Sequence, residues 1–382
     1  MAYLNSAKTT SCDYAVNKEQ VAGDQHLSPQ TLRDRDAIIT RENIILRVYG
    51  YFHPRNAYVC DVEYAPAAVY KSADRRAIRT KRKQVYYKFY ADEGLHFVQD
   101  KHPQYTIFYE PLQQRLVGVR QELIWKTRRP EEKFRRLIKK PSKDALLEVL
   151  HNVCQMITTS SMLERKDFGV FGSLLHSFYH PNFSDLDLIV YGKEKLAKLR
   201  ELLEELYREK SSPLRNEFET EDAVKGKHWR FVNFDPKEYV WHQRRKVIYA
   251  AFEDEKSGRA VKMEFEPVRA WEEIRNEYSS KTRVMKKGWI GAIARITEDR
   301  DAPFIPSIYQ IEPIKVLKGA RVENLQRVIS YVEEFRMQAH RDEEIYVEGN
   351  LEQVTSSTKT FHQIILTYGP RYYEQVLKVF KT

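Results

Sequence analysis

The stretch Phe168–Gly192, FGVFGSLLHSFYHPNFSDLDLIVYG, restricts the fold and function of this chain more than any other segment. It contains a Gly-Ser pair at Gly172 and Ser173, followed by two aspartates, Asp185 and Asp187, on either side of a single leucine. Residues two apart in a strand point to the same face, so the two carboxylates are predicted side by side. Because like charges this close repel each other, the pair is typical of a solvated strand rim or of a cation site.

The sequence around this stretch predicts an α/β unit. Apolar residues at helical spacing predict helices over PEEKFRRLIKKP, over PSKDALLEVLHNVCQMITTS with Ser142 as a cap, and over KEKLAKLRELLEELYREK. A further short helix is predicted to begin at Pro236, with Asp235 as its cap. The segment KVIYAAFEDEKSGRAVKMEFEPVR predicts a β-hairpin that turns at Ser257 and Gly258.

The chain on both sides of this unit is rich in β-branched and aromatic residues, which indicates strands. We therefore predict an α+β protein in which a central mixed sheet with helices is flanked by two β-rich domains. The predicted boundaries are a mobile tail over 1–30, a β-rich domain over 31–125, the central domain over 126–272 and a second β-rich domain over 273–382. The segment RYYEQVLKVF near the end is interpreted as a closing helix.

The two aspartates can hold metal ions for phosphoryl transfer. A third carboxylate is then expected to join them, because two-metal sites for this chemistry generally need one. The segment AVKMEFEPV alternates, so Glu264 and Glu266 share one face of a strand with Lys262. Either glutamate is a geometrically suitable partner of the aspartates, and a merely exposed strand face is nearly as good an interpretation.

Composition limits the partners and the compartment. The net charge is +10, and the basic residues concentrate in Lys71–Lys83 and Trp125–Lys140, which favours a polyanionic partner over a uniformly solvated surface. Three widely spaced cysteines form neither a disulfide framework nor a zinc motif. No apolar run approaches the about 18 residues of a membrane span, and the first residues lack a secretory pattern. A cytoplasmic protein without a membrane partner is expected.

The residues of the opening stretch resemble those of the DNA polymerase β-like nucleotidyltransferase superfamily. The resemblance consists of VFGS, eleven intervening residues and DLDL, with a helix before the Gly-Ser pair and a helix after the acidic strand. As a whole, the chain resembles an archaeal-type group of predicted nucleotidyltransferases with flanking β domains. This resemblance implies that Gly172 and Ser173 contact the triphosphate of an NTP such as ATP, and that Asp185 and Asp187 bind magnesium, with two Mg²⁺ ions expected.

The same resemblance ranks Glu264 above Glu266 as the third catalytic and metal-binding carboxylate. In relatives that add CCA, this carboxylate precedes a proline by three positions, and MEFEP matches that spacing at Glu264 with glutamate in place of aspartate. Arg244 and Arg245, in WHQRRK, are further candidates for binding the nucleotide phosphates, although a basic helix end is an equal alternative.

Several alternatives remain open from the sequence. His176 and His180 have the spacing of metal ligands on a helix, but loop or surface histidines are the favoured interpretation because no third soft ligand lies nearby. The leading function is transfer of an NMP from an NTP to an unidentified acceptor, RNA or DNA included, with release of pyrophosphate. The alternative is a nucleic-acid-binding protein whose nucleotidyltransferase fold is degenerate.

Overall fold

The computed structural model describes residues 31–81, 83–90, 92–226, 228–275, 281–369 and 371–380, and within them the chain forms three β-sheets and six α-helices. This arrangement confirms the predicted α+β class. The predicted tail over 1–30 lies outside the described residues. Among the helices described, none is both long and apolar enough to cross a lipid bilayer.

The first sheet has eight strands, in the order β4-β5-β3-β2-β1-β8, with β7 pairing with both β3 and β6. One helix that the sequence analysis missed lies in this region, where Gly94 packs closely against Val62 of the sheet. The elements are β1 (Ala37–Ile39), β2 (Ile45–Val48), β3 (Ala57–Pro66), β4 (Ile78–Lys81), β5 (Gln84–Lys88), α1 (Glu93–Lys101), β6 (Thr106–Tyr109), β7 (Gln114–Arg120) and β8 (Lys126–Arg128).

The second sheet is the central one, with the order β11-β12-β13-β10-β9 and a parallel pairing of β10 with β13. The strands of this sheet and the helices of the same unit are α2 (Pro130–Ile138), α3 (Ala145–Ser160), β9 (Phe168–Val170), α4 (Gly172–His176), β10 (Leu186–Tyr191), α5 (Lys193–Arg208), β11 (Leu214–Asn216), α6 (Pro236–Lys246), β12 (Tyr249–Asp254) and β13 (Arg259–Val268).

Local signals in this unit are mostly as predicted. A capping box places the start of α6 at Pro236, with Asp235 as the N-cap. The β12–β13 hairpin also forms at the predicted position. The prediction for α3 was wrong in its cap: Asp144, rather than Ser142, accepts a hydrogen bond from the Leu147 N–H. An aspartate directly before the first helical residue satisfies a free N–H that a serine two positions earlier cannot reach.

The third sheet follows the order β14-β15-β16-β18-β17-β19, and β14 also pairs with β17. The predicted closing helix was wrong. Val376 and Leu377 are fully buried in a short final strand, which pairs with β17 and extends the third sheet. The strands are β14 (Arg283–Asp301), β15 (Ser307–Lys318), β16 (Leu325–Ser330), β17 (Glu344–Thr355), β18 (Thr360–Leu366) and β19 (Val376–Val379).

The two faces of the central sheet have different neighbours. Leu186, Leu188 and Val190 of β10 belong to one apolar core with residues of α3 and α5. The alternate residues of β10, which include Asp187, point to the opposite face. On that side, Leu175 and Phe178 pack among buried residues of the first sheet and fix α4 against it. The acidic face of the central sheet is therefore turned toward the rest of the molecule.

Candidate active site

The Gly-Ser pair is folded directly against the acidic strand. Gly172 begins α4 with a φ of +56°, a left-handed conformation that glycine adopts without strain. A β-carbon at this position would collide with Oδ2 of Asp187. The Phe171 N–H donates to the backbone carbonyl of Asp187 at 3.1 Å, so the turn is also fixed to the strand through the backbone. Glycine is required here because the carboxylate occupies the space that any side chain would fill.

The parallel register of β10 and β13 brings a third carboxylate beside the pair. Asp187 is the direct register partner of Glu264, and neighbouring strands lie only about 4.8 Å apart. Asp185 immediately precedes β10 and is more exposed than Asp187 and Glu264, which are half-buried. The structure thus brings Asp185, Asp187 and Glu264 to one place, together with Gly172 and Ser173. Their roles as catalytic groups and ligands stay predictions.

A cavity of about 720 Å³ opens over these residues, and it is lined by the first sheet, by the central unit and by Glu333 and Tyr368 of the C-terminal region. The central unit supplies the Gly-Ser pair and the acidic residues, and the first sheet supplies strands β3, β4 and β5. The polar and charged lining residues include Arg47, Asp61, Glu63, Arg79, Lys88, Ser173, His180, Ser184, Asp185, Asp187, Glu264 and Glu333. Carboxylates outnumber cations in this wall, which makes it a place that favours a bound cation.

The electrostatics of the aspartates agree with this imbalance. Burial raises the pKa of Asp187 to about 7; Lys88 opposes the shift and the charge of Asp185 adds to it. Partial burial also raises the pKa of Asp185, against the opposing charge of Lys262. Both carboxylates are therefore less stable in their ionised forms than free aspartates, and a cation placed between them would reverse that effect.

Glu266, the competing candidate, belongs to a different environment. It is 1% exposed and accepts hydrogen bonds from two buried arginines, Arg35 of the N-terminal segment and Arg336 of the C-terminal region. Although burial acts in the opposite direction, these two charges lower the pKa of Glu266. Glu333 pairs with Arg35 at 2.8 Å and extends the network. Glu266 is thus neutralised by charged partners inside the protein, and the exposed strand face considered from the sequence is not formed there.

Glu264 lies between these two environments. Its Oε1 accepts a hydrogen bond from Arg336 Nη2 at 2.8 Å, while the residue lines the cavity. Burial, and then the charge of Glu266, raise the pKa of Glu264 well above its usual range, against the opposing charge of Arg336. The carboxylate is therefore shared between the cavity and the buried arginine.

The prediction of loop or surface histidines was wrong for His176 and right for His180. His176 is fully buried at the end of α4, where its Nδ1 accepts from Arg128 Nη1 at 2.7 Å and its Nε2 faces Glu63 Oε2 at 3.3 Å. Although burial acts in the opposite direction, this hydrogen bond helps to lower the pKa of Glu63 to about 2. His180 is exposed. The buried imidazole connects the Gly-Ser helix to the first sheet.

Arg244 and Arg245 do not reach the cavity. Arg245 forms an ion pair with Glu343 and lies over the ring of Trp241 at 4.3 Å. Arg244 lines a separate cleft of about 280 Å³. The structure therefore agrees with a basic helix end at these two residues, and does not bring them to the Gly-Ser pair.

The donor chemistry fits a hard divalent cation in part. Asp185 and Asp187 offer carboxylate oxygens, the ligands that Mg²⁺ prefers, and both residues line the open cavity. Within the described ranges, however, no group of three or more His, Cys, Asp or Glu side chains is already arranged to hold a metal ion. The ion pair of Glu264 with Arg336 is the contact that a third carboxylate ligand would have to exchange.

Comparison with known proteins agrees with this geometry. Residues 154–254 match the family model of the nucleotidyltransferase domain. The matched range contains the Gly-Ser pair and both aspartates but ends before Glu264. The chain is also 24% identical over 360 residues to an uncharacterized protein of Methanocaldococcus jannaschii, an alignment that covers 91% of this chain and 99% of that protein. No solved structure matches the chain. The match of residues 154–254 supports a general role in nucleotidyl transfer.

Sequence reasoning missed the residues that other sheets bring to the nucleotidyltransferase domain. Arg336 is 72 positions away from Glu264 in the sequence, and Arg47 and Lys88 belong to the first sheet. No local pattern connects any of the three to the acidic strand. The one available signal was charge, because all three are basic residues within predicted β-rich regions.

Proposed function

We propose that the protein is a metal-dependent nucleotidyltransferase that moves an NMP from an NTP to an acceptor hydroxyl and releases pyrophosphate. The observation that supports this most is the close fit of Gly172 against the Asp187 carboxylate, inside the range that matches the nucleotidyltransferase domain. A Gly-Ser turn lets the backbone approach a polyphosphate, and Ser173 lines the same cavity.

In this proposal the acceptor oxygen forms a bond to the α-phosphorus while the bond from that phosphorus to the pyrophosphate oxygen breaks. Glu264, which lines the cavity opposite Asp187, accepts the proton of the acceptor hydroxyl in its ionised form. Mg²⁺, held by Asp185 and Asp187 and with Glu264 as a third ligand once Arg336 is displaced, would supply charge neutralisation of the phosphates. Lys88, which lies near Asp187, orients the triphosphate in the cavity.

One observation favours a second candidate, a nucleic-acid-binding protein with a degenerate nucleotidyltransferase fold. The third carboxylate is a glutamate that already pairs with Arg336, and no three-ligand cluster is preformed among the described residues. A site that has lost catalysis would retain the fold, the cavity and the basic surface but would not turn over NTPs.

A screen of labelled NTPs separates the two candidates. Each NTP is incubated with Mg²⁺ and with RNA, DNA, protein or small-molecule acceptors, and both pyrophosphate release and label transfer are measured. We expect release that EDTA abolishes and that Asp185→Ala lowers by at least about 100-fold. Asp100→Asn, at an exposed aspartate of α1, serves as the matched control. Tight RNA binding without pyrophosphate release from any NTP would reject the enzyme and support the second candidate.

A further inference from the structure

The two basic runs of the sequence meet in space at the far end of the Gly-Ser helix. The basic cluster consists of Lys81 from β4, Arg128 from β8, Lys133 and Arg136 from α2, and Lys140 just after α2. Burial, and then the charges of the other four members, lower the pKa of Lys133 to about 8. The other four cations are therefore close enough to Lys133 to repel its charge. Arg82, in the same run as Lys81, lies outside the described residues.

Hydrogen bonds fix three of these side chains around the turn that ends α4. Lys81 Nζ donates to the carbonyl of His176 at 3.0 Å, and Lys133 Nζ donates to Ser177 Oγ at 2.7 Å. Arg128 Nη1 donates to Nδ1 of His176 at 2.7 Å. Ser177 itself adopts a left-handed conformation, with a φ of +59°. The cluster is thus attached to the same short helix whose first residue lies against Asp187.

Within the described part of the chain, four members of the cluster have no carboxylate partner. Across the described residues, Arg128, Lys133, Arg136 and Lys140 form no ion pair with any Asp or Glu. Arg136 and Lys140 are exposed, so a ligand can reach them. Like charges held together without counterions destabilise one another, and an anion bound among them relieves that repulsion. In contrast, the buried arginines Arg35 and Arg336 each have carboxylate partners.

The cluster is also continuous with the cavity. Ile78, Arg79 and Thr80 of β4 line the cavity, and Lys81 is the next residue of the same strand. The distance along α4 is short, since five helical residues span about 7.5 Å. A strand stacked as in a duplex rises about 3.4 Å per nucleotide, so the length of α4 corresponds to at most about two nucleotides. A phosphate bound at the end of α4 is therefore close enough to belong to the same molecule as a group reacting beside Asp187.

We propose that the basic cluster binds backbone phosphates of a single-stranded nucleic-acid acceptor whose terminal hydroxyl lies beside Asp185 and Asp187. This inference rests on the proposed function and specifies its substrate class. A cavity of about 720 Å³ is the size of a small-ligand pocket, so it accommodates a nucleotide unit rather than a duplex. A small acceptor would make no use of the exposed cations Arg136 and Lys140.

The test measures binding of labelled single-stranded RNA and DNA oligonucleotides across a salt series. The variant Lys133→Gln/Arg136→Gln/Lys140→Gln is compared with Lys287→Gln/Lys315→Gln/Arg321→Gln, which removes three exposed cations from the region of the third sheet. We expect the cluster variant to bind at least tenfold more weakly at low salt. Its plot of log affinity against log salt should be less steep by about 2, since each lost phosphate contact removes about 0.7. The control variant should bind like wild type.

Two outcomes would overturn the proposal: wild type that binds neither oligonucleotide at low salt, or a cluster variant that binds as tightly as the control. Arg136→Gln/Lys140→Gln, which changes exposed side chains alone, repeats the test if the triple variant unfolds. A preference for RNA over DNA, or the reverse, identifies the sugar of the acceptor.

Pyrophosphate release without an oligonucleotide distinguishes a failure of this inference from a failure of the proposed function. If wild type releases pyrophosphate but binds no oligonucleotide, the acceptor site is rejected and the enzyme stands. If oligonucleotides bind through the cluster but no NTP is turned over, the phosphate site stands and nucleotidyl transfer is rejected.

Discussion

Asp187 and Glu266 lie on the same face of the central sheet, on neighbouring strands, yet their surroundings are opposite. Glu266 is enclosed by Arg35 and Arg336, which come from the two ends of the chain, and these charges lower its pKa. Asp187 lies in the cavity beside Asp185, and burial raises its pKa to about 7. One carboxylate has its counterions inside the protein and the other does not. The comparison indicates a structural role for Glu266 and a ligand-binding role for Asp187.

The largest expected effect on stability comes from removing the buried charge of Glu266. Glu266→Gln leaves Arg35 and Arg336 without their main partner in a dry environment, and breaking a buried pair in this way costs about 3–5 kcal/mol. Urea unfolding measures the change. Glu253→Gln, at an exposed position of β12, is the control and should change stability by less than about 0.5 kcal/mol. A loss below about 1 kcal/mol for Glu266→Gln would show that the network is not structural.

The two carboxylates should also respond to pH in opposite directions. Because the pKa of Asp187 is raised in the folded protein, protonation of Asp187 stabilises the folded state. This stabilisation is fully present below about pH 4 and is lost as the pH rises through about 7. Because the pKa of Glu266 is lowered, its contribution is present above about pH 4.5 and is lost only in acid. Between about pH 5 and pH 8, the free energy of unfolding of the metal-free wild type should therefore fall by about 2 kcal/mol. The same fall should not occur in Asp187→Asn.

Unfolding in urea at several pH values, with EDTA present throughout, measures this difference. Parallel profiles for wild type and Asp187→Asn over this pH range would contradict the raised pKa, and with it the electrostatic contrast between the two groups.

The smallest effect on stability is expected at Glu264, which borders both environments. In Glu264→Gln the amide oxygen can still accept from Arg336, and Arg336 keeps its hydrogen bonds to Glu266. We expect a stability change of about 1 kcal/mol or less, together with a clear loss of pyrophosphate release. Full activity in this variant would assign Glu264 to the structural network instead of the active site.

The parts of the fold that depend on short-range signals were predictable. The capping box at Asp235, the β12–β13 hairpin and the apolar stripe of α5 all involve residues close together in the sequence, and the structure has them as predicted. The closing segment failed because its apolar residues, Val376 and Leu377, are buried by pairing with a distant strand. Burial against a distant strand is not encoded in the local pattern.

In the candidate site, too, the features that depend on local sequence were predictable and those that depend on distant residues were not. Strand alternation put Glu264 and Glu266 on one face, and the parallel register then places Glu264 opposite Asp187. The sequence could not show that Arg35 and Arg336 neutralise Glu266, because these contacts join residues 231 and 70 positions apart. It also could not show that His176 is buried between Arg128 and Glu63, since both partners come from the first sheet.

The ligand-binding role of Asp187 is tested most directly by measuring activity and stability on the same preparation of Asp187→Asn. Pyrophosphate release from an NTP with Mg²⁺ and the urea unfolding free energy near neutral pH are compared among wild type, Asp187→Asn and Asp100→Asn. The account predicts that Asp187→Asn loses at least about 100-fold in activity while its unfolding free energy is unchanged or higher, because a crowded carboxylate has been removed. Activity within a few-fold of wild type, or a loss of stability like that expected of Glu266→Gln, would contradict it.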